Sequence, residues 1–183
     1  MATGFIERVK AFITKPGKAF EAEHKTTLKA TMIYSLKGFL IFAVLYGIVQ
    51  TFITSVAGIN PFGMLMFPIL FLLILIGGFL GMLVGSLWYH LWAYVFGARQ
   101  GIRNTIKAVL FGSTPTYIFG WIPIVNIITG IWSLVLLGIG LKKLQKLSTG
   151  RVVGAILTAV LIPLIIVAAI LIFAVFPLLD TTI

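Results

Sequence analysis

The sequence predicts an all-α integral membrane protein. The expected form is a five-helix bundle with a cytoplasmic N-terminus, an outside C-terminus and a short amphipathic helix in front. Three observations predict it. The 183 residues are 60% hydrophobic and 10% charged, with a mean hydropathy of +1.15, whereas a soluble domain carries roughly 25% charged residues to face water. Three stretches, 38–98, 108–141 and 152–179, contain no Asp, Glu, Lys or Arg. All 14 Lys and Arg lie before or between those stretches, in positions that one side of a membrane can hold together.

Residues 1–35 read as a cytoplasmic segment. Phe5, Ile6, Val9, Phe12 and Ile13 recur at helical spacing with Glu7, Arg8 and Lys10 opposite them, and Lys15-Pro16-Gly17 ends that helix. A second helical stretch is expected from about Lys18 into the first span. The amphipathic helix has two readings, a foot in the headgroup plane or a helix docked on the protein's own loops.

A five-span membrane domain follows over 36–177. About 20 apolar residues cross a bilayer, so 38–98 holds two spans, 36–57 and 63–96, parted by the turn signal Gly58-Ile59-Asn60-Pro61. Thr54-Ser55-Val56-Ala57 resembles a signal-peptide cleavage site, but the 37 residues before the apolar run are too many, and the span is expected to stay. Gly120-Trp121-Ile122-Pro123 divides the middle stretch into 102–120 and 123–141, which either cross fully or form a shallower re-entrant hairpin. The last span is 152–176, with a kink expected at Pro163, and 178–183 forms an outside tail.

With this map seven basic residues precede the first span, three (Arg99, Arg103, Lys107) follow the second and four (Lys142, Lys143, Lys146, Arg151) follow the fourth. All are then cytoplasmic, as the positive-inside rule requires. A single crossing over 108–141 would place the last four outside and is rejected. Trp88, Tyr89, Trp92 and Tyr94 are expected as interface anchors near the inner end of the second span.

Several function classes fall away. With no Cys there is no disulfide framework, thiolate metal site or Cys nucleophile. The four carboxylates, Glu7, Glu21, Glu23 and Asp180, all lie outside the expected spans, leaving an intramembrane aspartyl or zinc hydrolase without its groups. His24 and His90 lack a second ligand at metal spacing, so neither catalytic residue, metal nor cofactor is expected. The basic excess reads as topogenic charge rather than a nucleic-acid surface.

What remains are three patterns. Arg99, Arg103 and Lys107, four apart, with Lys142, Lys143, Lys146 and Arg151, form an expected basic surface for anionic lipid of the cytoplasmic leaflet or an acidic partner. Gly77, Gly81 and Gly85 line one helix face suited to close packing, expected within the chain rather than between copies or with a partner membrane protein. Ser113, Thr114 and Pro115, with Thr116, form a polar, kinked stretch. It is read mainly as hydroxyls satisfying backbone around a proline, and alternatively, with Asn126 and Gln50, as the lining of a path.

Several of these residues also resemble a known family. Lys15-Pro16-Gly17-Lys18-Ala19-Phe20-Glu21, Phe96-Gly97, Ser113 to Pro115, Trp132, Gly138-Ile139-Gly140-Leu141-Lys142-Lys143 and Leu147-Ser148-Thr149-Gly150-Arg151 are similar to the pattern of Yip domain proteins. The likeness covers about 5–175. It implies a five-helix bundle with a cytoplasmic N-terminus, and in eukaryotic members a trafficking role with Rab GTPases. The long cytoplasmic region and Asp-Leu-Tyr-Gly-Pro motif of those members have no counterpart here. The chain is most like the short prokaryotic members, in a prokaryotic cell membrane. The expected function is a non-enzymatic scaffold that organises lipid or partner proteins through its basic face. The rival is a small channel or transporter lined by 102–120.

Overall fold

A computed structural model describes residues 4–180, with side chains through Phe173, so the last three residues of the expected tail and the Asp180 carboxyl lie outside the described residues. Among the described residues every regular element is a helix. Glu7 reaches back to the Gly4 N–H at 3.2 Å and closes the first turn of α1, Phe5–Thr14. Lys15 precedes a proline, which disfavours helical backbone, and it breaks the chain at φ −140°. Pro16 then opens α2, Pro16–Ala22, where a missing N–H costs nothing.

Thr27 caps α3, Leu28–Val56, by accepting the Ala30 N–H at 3.2 Å. The first long helix therefore starts eight residues before the expected 36, and a cap separates it from α2. The turn after it forms at the expected place. Gly58 takes φ +70°, and the Asn60 side chain donates to the Gly63 carbonyl at 2.8 Å while accepting the Phe62 N–H.

Residues 63–95 form one helical run. It comprises a tight turn Gly63–Leu65, α4 (Met66–Leu72), a widened turn Leu73–Gly78 and α5 (Phe79–Val95). The remaining elements are α6 (Ile102–Gly112), α7 (Thr114–Phe119), α8 (Val125–Leu144) and α9 (Thr149–Asp180), which passes Pro163 without interruption.

Among the described residues four segments are long and apolar enough to cross a membrane: Leu28–Val56, Gly63–Val95, Val125–Leu144 and Thr149–Phe173. The protein is thus an all-helical integral membrane protein with several membrane-spanning helices. The expected span 102–120 is not one helix but two short ones, parted at Ser113. Pro115 offers no N–H to the Phe111 carbonyl, and the Thr114 hydroxyl bonds that carbonyl instead, at 2.6 Å.

The core lies at one end of the bundle, the end that carries α1, α2, α6 and the C-terminal half of α8. Phe111 stacks on Phe12 with ring centroids 4.7 Å apart, Phe20 meets Phe12 edge-on at 4.9 Å, and Tyr34 approaches Phe111 at 5.3 Å. Phe12, Phe5 and Val9 of α1 therefore pack on the protein itself, while Ile6 is 66% exposed. Glycines let α6 and α8 touch. A Cβ on Gly112 would lie 3.0 Å from the Leu137 nitrogen, and one on Gly140 would lie 2.9 Å from both Ala108 and the Phe20 ring.

Candidate functional site

The charged end is assembled from two loops. The first ends α5 in a Schellman turn. Gly97 at φ +100° donates to the Tyr94 carbonyl at 3.0 Å, and Ala98 donates to the Ala93 carbonyl at 2.8 Å. The second is Gln145–Ser148, between α8 and α9.

Gln145, 2% exposed, ties the loops together. Its amide donates to the Gly101 carbonyl at 2.7 Å and the Thr105 hydroxyl at 2.9 Å, and its carbonyl accepts the Gln100 N–H at 3.0 Å. His90 meets the same Thr105 hydroxyl at 2.8 Å, and Asn104 donates to the Leu144 carbonyl at 3.3 Å. All of these are protein–protein bonds, so the cluster is a staple. No sequence pattern marks Gln145, because its partners lie about 40 residues away.

Around that staple the basic residues divide. Arg99, Arg103, Lys142, Lys146 and Arg151 are exposed. Arg99 lies over the Tyr94 ring at 4.0 Å and donates to the Tyr94 and Ala98 carbonyls, which fixes its guanidinium at the rim. Lys146 sits in the loop at φ +56°. Lys143 pairs with Glu21 of α2, and Arg8 pairs with Glu23 at 2.9 Å. Glu21 is held below the ordinary carboxylate range, first by the Lys143 hydrogen bond and then by the Lys143 charge.

Lys107 leaves the expected surface. It is 4% exposed, and its ammonium donates to the His24 carbonyl at 2.7 Å, closing α6 onto the α2–α3 connection. It lies one turn deeper in α6 than Arg103, at the start of the run Lys107–Gly112 that is buried throughout. Gly101 at φ +84° breaks the chain, so Arg99 stands off the helix and the spacing of four does not make one stripe.

The Ser113 region is used internally. Ser113 donates to the Val109 carbonyl at 2.9 Å, and the Thr114 hydroxyl meets Tyr34 at 2.9 Å. Thr116 meets Ser133 at 2.9 Å, and Tyr117 donates to the Leu110 carbonyl at 3.0 Å. Pro115 is buried beside them, whereas Asn126 is exposed in the first turn of α8 and is not brought to the cluster. A cavity of about 200 Å³ lies beside Ser113 and Ser133, walled largely by Val109, Leu134 and Leu137. Ser113, Thr114 and Tyr117 thus bond backbone carbonyls around the proline, and two hydroxyl pairs bond each other.

The glycine face behaves differently from the expectation. Nothing lies within 4 Å of a Cβ placed on Gly77, Gly81 or Gly85, so this stripe is not an internal contact. Close approaches are made by other glycines, Gly112 and Gly140 among them, and a Cβ on Gly78, beside the stripe, would lie 2.8 Å from the Phe39 ring. Trp88 also turns inward, donating to the Ala159 carbonyl of α9 at 2.8 Å.

Two clefts open at the charged end. One, of about 320 Å³, runs between α1 and α3 past Arg8, Tyr34 and Lys37. The other, of about 350 Å³, runs between α8 and α9, with apolar walls and Lys142 and Thr149 at its mouth. Comparison with known proteins gives one match: the family model for the Yip1 domain fits residues 10–173. No curated protein and no solved structure matches.

Proposed function

The chain belongs to the Yip1 domain family, and from that premise we propose that it is a non-enzymatic membrane scaffold. Its exposed cations engage anionic lipid or an acidic partner at the cytoplasmic face. The observation that carries this reading is an imbalance of charge at one end. Glu7, Glu21 and Glu23 are all engaged by their own chain. Among the described residues no carboxylate comes within ion-pair distance of Arg99, Arg103, Lys142, Lys146 or Arg151. A surface with that much unopposed charge attracts anions, and each Lys or Arg beside an anionic leaflet contributes about 1 kcal/mol.

The orientation follows from the same charges. The N-terminus and both basic loops face the cytoplasm, α9 leads to the opposite side, and α6–α7 with α8 leave and return to the cytoplasmic side. This parity is that of a five-helix domain, whether the α6–α7 and α8 pair crosses fully or turns back within the bilayer.

The test uses the chain in zwitterionic nanodiscs, mixed with vesicles of anionic or zwitterionic lipid. The wild type is expected to capture anionic vesicles and release them as salt rises, because exposed charges are screened over about 10 Å at 0.1 M. Replacing these five cations of the two loops with Gln is expected to weaken capture severalfold, the exposed lysines of residues 10–37 holding the remainder. Equal capture by both proteins would overturn the reading.

A further inference from the structure

We propose that the groove between α8 and α9 holds one anionic phospholipid of the cytoplasmic leaflet, with its phosphate on Lys142 and Thr149 and an acyl chain along the apolar walls. The inference deepens the reading of the basic end and rests on it, since it names a ligand for one part of that surface.

The groove has the composition of such a site. Leu134, Val135, Ile139, Val153 and Ile156 wall a volume of about 350 Å³, and the polar side chains at its edge are Lys142 and Thr149. Val135 and Val153, one from each helix, are 47% and 49% exposed, so the groove opens sideways toward lipid rather than into the bundle. Gly138 keeps the floor low, because a Cβ there would already lie 3.3 Å from Ile156 and 3.4 Å from Val152.

The mouth is prepared for an anion. The Lys142 ammonium donates to the Thr149 hydroxyl at 2.8 Å, which holds the charge over the end of the groove. An ammonium has three donors and a hydroxyl has a proton to give, so both groups retain capacity toward a phosphate.

Charge complementarity selects the occupant. A cation at the end of an apolar trough matches an anionic head on a hydrocarbon chain. It does not match free phosphate, which has nothing to place against the valines and leucines. The α1–α3 cleft also carries a cation, Lys37, but its Arg8 is already paired with Glu23.

The experiment is native mass spectrometry of the full chain in mild detergent, with phosphatidylglycerol, phosphatidylcholine or inorganic phosphate added. The wild type is expected to retain one phosphatidylglycerol, at least tenfold in preference to phosphatidylcholine, and inorganic phosphate is expected neither to bind nor to displace it. Lys142→Gln should remove the preference. Val153→Trp and, from the opposite wall, Val135→Trp should remove retention of both lipids. These two side chains are half exposed, so the added ring enters open space.

A variant carrying Gln at Arg99, Arg103, Lys146 and Arg151, but keeping Lys142, separates the two readings. It should show weakened vesicle capture and still retain its one lipid. Retention that survives both Trp substitutions, equal retention of the two lipids, or displacement by inorganic phosphate would each overturn the site.

Discussion

The charged end and the far end of this bundle solve different packing problems. At the charged end α1, α2, α6, α8 and the base of α3 enclose Phe12, Phe20, Tyr34 and Phe111, and Lys107 through Gly112 are all buried. At the far end the second half of α3 meets α4, and the most apolar 18-residue window of 63–95 has none of its residues buried. Val56, Ile59, Phe62 and Leu65 are each more than 60% exposed there. Lipid is as apolar as these side chains, so no hydrophobic force drives them inward. The difference locates cohesion. The charged end packs like the interior of a soluble protein, and the far end has lipid for its solvent.

The sharpest way to break this comparison is a pair of identical truncations. Phe111→Ala removes a ring that is 0% exposed and stacked on Phe12. It is expected to cost about 3–5 kcal/mol in denaturant titrations of the detergent-solubilised protein. Phe52→Ala, at 64% exposure in the far half of α3, should change stability by less than about 0.5 kcal/mol. Equal losses would mean that the far end is packed in a way the fold does not provide.

A smaller loss is expected at the polar staple. Gln145→Ala leaves the Gln100 N–H without its partner and takes one bond each from the Gly101 carbonyl, which keeps the Asn104 N–H, and from Thr105. The expected cost is about 1–3 kcal/mol. Amide exchange should rise in both loops, 96–101 and 145–148, because one side chain holds them together. A rise in one loop alone would show that the loops are independent.

Much of this division was readable from the residues, but only where the signal is local. Charge-free length gave the long helices, and Gly58 with Asn60 placed the turn between α3 and α4 correctly. The period of Phe5, Val9 and Phe12 predicted the apolar face of α1. It did not say what covers that face, since Phe111 lies 99 positions from Phe12 and no periodicity connects them. Lys107 was misread for a related reason. It does share α6 with Arg103, but the helix enters the packed end of the bundle at Lys107, which no local spacing shows. The positive φ at Gly101 separately takes Arg99 off the helix. The hairpin 102–120 was readable as polar and kinked. The two-helix break required knowing that Thr114, not a backbone N–H, satisfies the Phe111 carbonyl.

The glycines sharpen the comparison further, because the same residue type has opposite roles on packed and lipid-facing helix faces. Gly140 faces Ala108 and the Phe20 ring, whereas nothing lies within 4 Å of a Cβ on Gly81. Gly81→Leu is therefore expected to leave the stability of the isolated chain within about 0.5 kcal/mol of wild type. A large loss, measured at a protein concentration where the chain is shown to be monomeric, would place an internal contact on that face.

The smallest expected effect is a pH dependence confined to the charged end. Lys143 joins α8 to Glu21 of α2, and its hydrogen bond and charge hold the Glu21 carboxyl below the ordinary carboxylate range. A carboxylate depressed on folding stabilises the docked form above its unfolded pKa, and that contribution disappears as pH falls through the lower folded value. Docking of α2 should therefore be constant from pH 7 to about pH 5 and weaken below about pH 4, near the range of a free carboxylate. Glu21 is exposed, so the change is small and is best read locally, as amide exchange across Pro16–Ala22 corrected for the intrinsic effect of pH. Glu21→Gln should flatten the profile without altering exchange in α4 and α5. If the variant keeps the acid-dependent rise, another group carries it, and the latch between α2 and α8 does not depend on this ion pair.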